Sequence, residues 1–382
     1  MRKGRDLANE DCRVYAKIDI ENAKHNLALI RSRIGDKPEI MAIVKENAYG
    51  HGAVALSRLY NENGVYHFGV SSLDEAQELR SAGIEGEILV LGRLSPESAA
   101  DVAEYGVTCM FSSFEEAREF SKAAEKLGKG TVIKAHIKID TGFSRYGFYL
   151  HGEDDVPAAA EEIKRIKSLG NIKINGIMTH FADADNSASG FTDRQFSTFS
   201  KLLGALKAEN VDCGLRHCAN SSCILTRPET HLDMVRAGIA LYGLAPSDDA
   251  AFSGIDLRPV MGLYTRVTQI TKLREGDRVS YGGRFKADSP RTVATLGIGY
   301  GDGYSRLLSN RDSVVINGRR YPVVGSICMN ACMADVTGGD GIKVGDEVEI
   351  FGANKPVSEL SKIMGTIDYE IICMISERVK RI

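Results

Sequence analysis

Short apolar runs rich in β-branched residues alternate with longer amphipathic segments through the first two-thirds of the chain. Apolar runs of this length are typical of strands that are buried on both faces, as in a parallel sheet. The runs predict eight strands, at Glu39–Val44, Tyr66–Ser71, Glu87–Leu91, Gly106–Phe111, Val132–Asp140, Ile172–His180, Leu215–Ala219 and Asp233–Tyr242.

The segments between these runs carry helix signals. Ser72–Ala82 and Thr192–Glu209 have apolar residues at helical spacing. Ser113–Leu127 begins with Ser113 as a candidate N-cap and has Glu116 three residues later, which is typical of a helix start. Eight strands alternating with helices predict an α/β fold in which a parallel sheet closes into a TIM-like (β/α)8 barrel. An open doubly wound sheet is the alternative, because strand boundaries read from one sequence are imprecise.

The pattern changes after Gly243-Leu-Ala-Pro246. Helix-length periodicity disappears, and short alternating runs separated by turn signals take over, as in an antiparallel sheet. The sequence therefore predicts a barrel domain over residues 14–244 and a mainly antiparallel β domain over residues 245–382, which residues 1–13 are expected to join. The strands predicted for the β domain are Gly262–Leu273, Arg291–Gly297, Ser313–Ile316, Arg320–Val324 and Asp346–Ile350.

Composition limits the classes of function. The chain has 382 residues, 43% of them apolar and 26% charged, with a formal net charge of −3 and a pI near 6.3. This balance shows no basic bias toward nucleic acid or an anionic membrane. The N-terminal residues lack the apolar stretch of a secretory signal or a transmembrane helix, so a cytoplasmic protein is expected. The lack of a Cys-x-x-Cys pair argues against a zinc site.

One lysine stands at the end of the first predicted strand. The apolar run Ile40–Val44 leads directly into Lys45, and Tyr49 and His51 follow in a glycine-containing turn. The carboxyl ends of barrel strands are where such folds place their chemistry. A lysine there can form a Schiff base with an aldehyde, of which pyridoxal phosphate is the usual example. The alternative is an ordinary solvated lysine at the surface.

Polar residues also follow four other predicted strands. They lie in Ile137–Arg145, Gly176–Phe181, His217–Ser221 and Met234–Ile239. Each of them alone could cap a helix or close a turn. Together with the lysine they predict one polar site, because the carboxyl ends of barrel strands converge.

These motifs, with Val279-Ser-Tyr-Gly-Gly283 and Thr366-Ile-Asp-Tyr-Glu-Ile-Ile-Cys373, resemble those of the alanine racemase family across residues 13–382. Members of this family are fold-type III pyridoxal phosphate enzymes with a barrel followed by a β domain, and they act as homodimers with shared active sites. The resemblance implies pyridoxal 5'-phosphate as the cofactor, attached to Lys45. The groups implied to hold its phosphate and ring are Tyr49, Asn220, Ser221, Gly238, Ile239 and Tyr369.

The resemblance also places Arg236 opposite the pyridine nitrogen of the cofactor, with His180 as its neighbour. A guanidinium stays charged at working pH and repels a proton from that nitrogen. The carbanion is then only modestly stabilised, which favours simple return of the proton over side reactions such as transamination.

Racemisation needs a proton donor on each face of the flattened α-carbon. The resemblance gives these two roles to Lys45 and to Tyr281, which would reach in from the partner subunit. Because a tyrosine hydroxyl is normally protonated at neutral pH, a tyrosine base needs help from positive charge or hydrogen bonds. Arg145, Arg236 and His180 are expected to supply that help.

Other matches concern the substrate and its path. The resemblance makes Arg145 the ligand of the substrate carboxylate, which suits a planar fork of donors, and Met329 a backbone contact to the same group. Lys138 matches a lysine that is carbamylated in many members of the family, where the resulting anion holds the arginine. The residues implied to form an entrance channel are Tyr300, Asp185 and Arg306.

Three positions depart from the family pattern. Ser326 replaces the usual arginine and Asn330 the usual aspartate near the predicted entrance, and Glu46 replaces a commonly small residue. The first two changes remove one charge of each sign, which leaves the choice between alanine and serine open. Tyr369 still favours a small side chain such as that of alanine.

The sequence therefore predicts an isomerase, an amino-acid racemase that interconverts L- and D-alanine and supplies D-alanine for peptidoglycan precursors. A serine or broad-specificity racemase of the same family is the first alternative. A fold-type III decarboxylase is disfavoured, because those enzymes resemble one another in having a glutamate where this chain has Arg236. A non-catalytic pyridoxal phosphate carrier or regulator is the last alternative, and the presence of Tyr281 argues against it. No nucleic acid, membrane or metal partner is expected.

Overall fold

The computed structural model of the protein describes residues 12–382. The chain forms two compact units. One, the barrel unit, consists of Lys24–Ala48 and Ala53–Leu257; the other, the β unit, consists of the described part of Met1–Ala23 with Tyr49–Gly52 and Arg258–Ile382. The domain boundary predicted between residues 244 and 245 stays a prediction, and most of the segment 1–13 lies outside the described residues.

Within the described chain, the first seven parallel strands of the barrel unit pair side by side in chain order, and the eighth pairs with the first. Backbone hydrogen bonds from Asp233 N to Arg216 O and from Arg236 N to Ala219 O join the two remaining edges. The predicted (β/α)8 barrel is thus confirmed. The strands are Glu39–Ile43, His67–Val70, Glu87–Val90, Thr108–Phe111, Ile133–Asp140, Ile172–Met178, Leu215–His217 and Met234–Ala237.

Helices alternate with these strands, as predicted. The Ser113 hydroxyl accepts a hydrogen bond from Glu116 N, so Ser113 is the predicted N-cap. The long helix predicted to begin at Thr192 begins one residue earlier, after Gly190. The helices are Ile20–Ile34, Ala53–Glu62, Leu73–Ser81, Ala99–Glu104, Phe114–Leu127, Val156–Lys167, Phe191–Ala208 and Ser221–Thr226.

The strand predicted over Asp233–Tyr242 is too long. The observed strand ends at Ala237, and Ile239–Tyr242 form a 3-10 helix. Gly238 between them has φ −113° and ψ −105°, a backbone conformation that no strand contains. The carboxyl end of this strand therefore lies at Arg236 and Ala237.

The β unit is mainly antiparallel, as predicted. Its longest strand, Met261–Leu273, pairs with Val14–Ile18, Arg291–Leu296 and Glu347–Phe351. Asn317 and Gly318 both have positive φ, as a tight hairpin turn requires. The other strands of this sheet system are Ser313–Ile316, Arg319–Pro322, Cys332–Asp335 and Lys380–Arg381.

The β unit also contains two short α-helices that the sequence pattern after residue 246 did not predict. Ser358–Met364 and Asp368–Cys373 are α-helices, of 7 and 6 residues. Helices of two turns show too little periodicity to be distinguished from turns, and they depend on tertiary packing for stability. The second of them carries Tyr369. Among the helices of residues 12–382, none is both long and apolar enough to cross a membrane.

Candidate active site

The chain makes a left-handed turn immediately after Lys45. Residues Glu46 to Tyr49 all have φ near +52°, although none of them is glycine. Such backbone costs about 1–2 kcal/mol per residue, so it persists only where other contacts fix it. Glu46 N donates to Glu75 Oε1 at 2.5 Å, and Asn47 Oδ1 accepts from Ala53 N at 2.8 Å. The turn fixes the direction in which the chain leaves the half-buried lysine.

Arg236 lies at the end of the last barrel strand and is only 4% exposed. Its Nη1 donates to His217 Nδ1 at 3.0 Å, and its Nη2 donates to Thr179 O and Cys218 O and, at 3.0 Å, to His180 Nδ1. Burial lowers the pKa of Arg236 to about 10, so the guanidinium is still cationic at neutral pH. None of its four acceptors is a carboxylate.

The arginine fixes the protonation of its two histidine neighbours. Because a guanidinium has only donors, Nδ1 of His180 and of His217 must accept, and each neutral ring carries its proton on Nε2. Burial, followed by the charges of Arg236 and Lys138, lowers the pKa of His180 well below its usual value, and Lys45 adds to the effect. Burial also lowers the pKa of His217, with His136 and Arg236 contributing. Both rings are therefore neutral at working pH.

A hydrogen-bonded chain continues from the arginine into the barrel. His217 Nε2 lies 2.9 Å from His136 Nδ1, so His136 also carries its proton on Nε2. That nitrogen forms no hydrogen bond of good geometry among the described residues, and it lies 3.4 Å from Glu87 Oε2. The carboxylate of Glu87 also accepts from Thr108 Oγ1 at 2.9 Å and lies 3.1 Å from His67 Nδ1. The sequence did not predict this series of hydrogen bonds, although histidines inside apolar strands are a signal for it.

We expect Glu87→Gln to lower the free energy of unfolding at pH 7 by about 1–3 kcal/mol, because the buried donors around it lose a charged acceptor. Burial alone would raise the pKa of Glu87, but contacts from His136 and His67 outweigh it and hold the pKa below its usual range. This stabilisation is present above the unfolded pKa of about 4.3 and is lost as the pH falls. Urea unfolding from pH 7 to 3 should give the variant a flatter pH profile than the unmodified protein, and parallel profiles would contradict the assignment.

Lys138 is buried, and its Nζ donates to Ile139 O at 2.9 Å. Burial, followed by the charge of Arg236, lowers the pKa of Lys138 to about 7, with Arg145 adding to the effect and Asp140 opposing it. A large fraction of this amine is therefore neutral at physiological pH. A neutral amine can attack carbon dioxide, which forms a carbamate and releases a proton.

Carbamylation of Lys138 is expected to increase from pH 6 to pH 8, because the neutral amine becomes the major species above a pKa of about 7. Carbon-13 NMR with labelled bicarbonate measures it as a protein-bound carbamate signal. Lys138→Met should remove the signal. Lys134→Arg, at an exposed lysine of the same strand, is the matched control and should keep it. A signal that survives Lys138→Met would assign the carbamate to another lysine.

A group of N–H donors surrounds Ser221. Its hydroxyl accepts from Gly238 N at 3.0 Å and from Ala240 N at 3.2 Å, and Ile239 lies between them. Asn220 caps the helix that begins at Ser221, because its side chain accepts from Cys223 N. Because the Ser221 hydroxyl accepts both bonds, its own O–H can be donated to an anion such as phosphate.

Arg145 lies in an exposed loop after the fifth barrel strand. Its guanidinium carbon stacks 4.2 Å from the centroid of the Phe143 ring, and that ring makes an edge contact with His180. The structure thus brings Lys45, Lys138, Arg145, His180 and Arg236 to one end of the barrel. Asp185 is exposed in a later loop, where its carbonyl accepts from Ser247 Oγ.

The remaining predicted residues belong to the β unit. The rings of Tyr49 and Tyr369 lie 6.0 Å apart. Tyr281 is 71% exposed and Met329 is 55% exposed. Tyr300 is close to Met329, because Tyr300 N donates to Cys328 O at 3.0 Å and Gly301 N to Met329 O at 2.9 Å. Arg306 is exposed in the 3-10 helix Arg306–Leu308.

Comparison with known proteins gives a consistent result. The model of the alanine racemase N-terminal domain matches residues 18–246, and that of the C-terminal domain matches residues 260–382. An alanine racemase of Methanococcus maripaludis is 44% identical over 97% of this chain and 98% of its own length. One from Desulforamulus reducens is 42% identical over 97% and 98%.

Solved structures of alanine racemases are similar to this chain over almost its whole length. An alanine racemase of Clostridium difficile 630 has a TM-score of 0.92 at 35% identity, covering 98% of this chain and 96% of its own. An alanine racemase of Bacillus anthracis with bound L-Ala-P has a TM-score of 0.90 at 33% identity, with the same coverage. Since both domain models match in order and the relatives align over nearly their whole length, the chain belongs to the alanine racemase family.

Proposed function

We propose that the protein interconverts L- and D-alanine with pyridoxal phosphate as its cofactor. The observation that carries the proposal is the buried guanidinium of Arg236, held by two neutral histidines and two carbonyls at the end of the barrel. A cation in that position disfavours protonation of a pyridine ring. The site is therefore suited to proton removal and return, with little transamination.

The residues present fit this cofactor. Lys45 would attach it, Arg236 would face its ring nitrogen, and the segments at Ser221 and Gly238 would hold its phosphate. Asn220, Ile239, Tyr49 and Tyr369 are the other expected contacts. When bound, pyridoxal phosphate supplies an electron sink that acidifies the α-proton of an amino acid.

Two bases would move the proton. Nζ of Lys45 would take or return it on one face of the α-carbon, and the hydroxyl of Tyr281 on the other. His180 carries its proton on Nε2, a donor that would stabilise the deprotonated oxygen of Tyr281. The fork of Arg145 and the backbone at Met329 would hold the substrate carboxylate.

A homodimer would complete the site. The high exposure of Tyr281 and Met329 in the single chain is what side chains that reach into a second copy would show. Cytoplasmic location, the entrance channel of Tyr300, Asp185 and Arg306, and the supply of D-alanine to peptidoglycan precursors stay predictions.

Proton exchange in heavy water tests the proposed function. Purified protein with added pyridoxal phosphate is given L-alanine and, in parallel, L-serine, and deuterium incorporation and the D-enantiomer are followed together. Fast exchange with inversion for alanine and slow exchange for serine are expected. Equal or faster turnover of serine would support the broad-specificity alternative, and bound cofactor without exchange of either would support the non-catalytic one.

A further inference from the structure

The backbone beside Tyr281 is strained. Ser280 has φ +61° and ψ −174°, a region that is essentially restricted to glycine and costs roughly 1–3 kcal/mol for other residues. Gly282 and Gly283 also have positive φ. A side chain on such a segment keeps one position only if neighbouring groups hold the main chain.

Two serines hold this segment by reciprocal hydrogen bonds. Ser326 Oγ donates to Tyr281 O at 2.9 Å, and Ser280 Oγ donates to Ser326 O at 2.6 Å. Ser326 is only 1% exposed, so its side chain is buried against the backbone of Ser280 and Tyr281. The sequence placed it near the entrance, whereas its contacts are with the main chain of Tyr281.

The segment that carries Ser326 is itself anchored. Gly325 N donates to Asn310 Oδ1 at 2.6 Å, and Ile327 N donates to Ser309 Oγ at 3.0 Å. Met329 lies three residues after Ser326, and its carbonyl accepts from Gly301 N. The same short segment therefore fixes the main chain at Tyr281 and at Met329, the expected second base and the expected carboxylate contact.

We propose that Ser326 is a positioning residue that holds the strained Ser280–Tyr281 backbone, and with it the Tyr281 hydroxyl, in place for proton transfer. The proposal rests on the proposed function, in which Tyr281 is the second base. Ser326 touches neither substrate nor cofactor in this role. Removing the Ser326 hydroxyl should slow proton transfer by Tyr281 and leave proton transfer by Lys45 unchanged.

Ser326→Ala tests this by the ratio of α-proton exchange to inversion in heavy water. We expect kcat for racemisation to fall about 3- to 10-fold, the equivalent of one lost hydrogen bond. KM should stay unchanged, because Asn310 and Ser309 still anchor the segment. Exchange without inversion, carried by Lys45, should become more frequent for one enantiomer. Ser280→Ala should act in the same direction, and the double variant should lose less than the product of the two single losses, because the bonds are coupled.

Ser121→Ala is the matched control, since it removes another buried serine hydroxyl, one that bonds Asn171 in the barrel unit. It should leave the ratio unchanged. Hydrogen exchange by mass spectrometry of the peptide over residues 279–283 gives a readout independent of catalysis, and its uptake should rise in Ser326→Ala and stay unchanged in Ser121→Ala. An active Ser326→Ala enzyme with an unchanged ratio overturns the proposal, whatever the peptide uptake. Absent racemisation in the unmodified protein would instead overturn the proposed function.

Discussion

Replacing Tyr281 with phenylalanine is expected to lower kcat for racemisation by roughly 10²–10⁴-fold, the usual contribution of a positioned acid or base. The phenyl ring keeps the shape and loses the hydroxyl that would carry the proton. Lys45 remains, so the α-proton of one enantiomer should still exchange with heavy water, without inversion. The measurement is the exchange and inversion rate for L- and D-alanine separately.

Tyr66→Phe is the control for this variant. Tyr66 is also exposed, at 52%, and it precedes the second barrel strand at the opposite end from the site. Its loss should leave both rates unchanged. Full racemisation by Tyr281→Phe would remove the tyrosine from the mechanism. Mixing Tyr281→Phe with Lys45→Ala chains should restore activity if each site takes its two bases from different copies, and no recovery in exchanged dimers would contradict the shared site.

Arg236→Glu is expected to lower racemisation by roughly 10²-fold or more and to raise transamination of the cofactor. A carboxylate at this position would favour a proton on the ring nitrogen, the opposite of what the guanidinium does. It would also leave the Nδ1 atoms of His180 and His217 without their donor, so both rings could change tautomer. Pyruvate formed per racemisation event measures the partition between the two reactions.

Two variants separate the effect of charge at the ring from other causes. Arg236→Lys keeps the cation but loses the fork of donors, so it should lose rate without gaining transamination. Arg58→Glu makes the same change of net charge at an exposed helix position and should alter neither. An Arg236→Glu enzyme whose partition equals that of the unmodified protein would show that the arginine does not set the fate of the ring proton.

The barrel could be predicted from sequence because its strands are continuous apolar runs separated by amphipathic helices. Each of the eight predicted runs contains a strand, and the largest boundary error is at Gly238, where the backbone conformation ends the last strand. The two short helices near the C-terminus escaped notice, because six or seven residues carry too little periodicity and their stability comes from packing. Elements long enough to show a repeating pattern of apolar residues could therefore be predicted, and shorter ones could not.

The gathering of polar residues at one end of the barrel could be predicted from the sequence, and the hydrogen bonds among them could not. Lys45 and His180 follow barrel strands and Arg236 lies near the end of another, all at the same face of the barrel, which places them together. The direction of hydrogen bonding from Arg236 through His217 and His136 depends on side chains from three strands, which a linear pattern does not register. The same is true of Ser326, whose partner lies 45 residues away in sequence.

The left-handed turn after Lys45 holds the lysine in place at a cost in folding free energy. Four such residues cost together about 4–8 kcal/mol, as much as the net stability of many domains. Glycine at these positions would relieve the strain, but it would also give the lysine a looser tether. A chain that keeps ordinary residues here has its amine preorganised, so the loss of freedom is borne during folding and not each time a ligand binds.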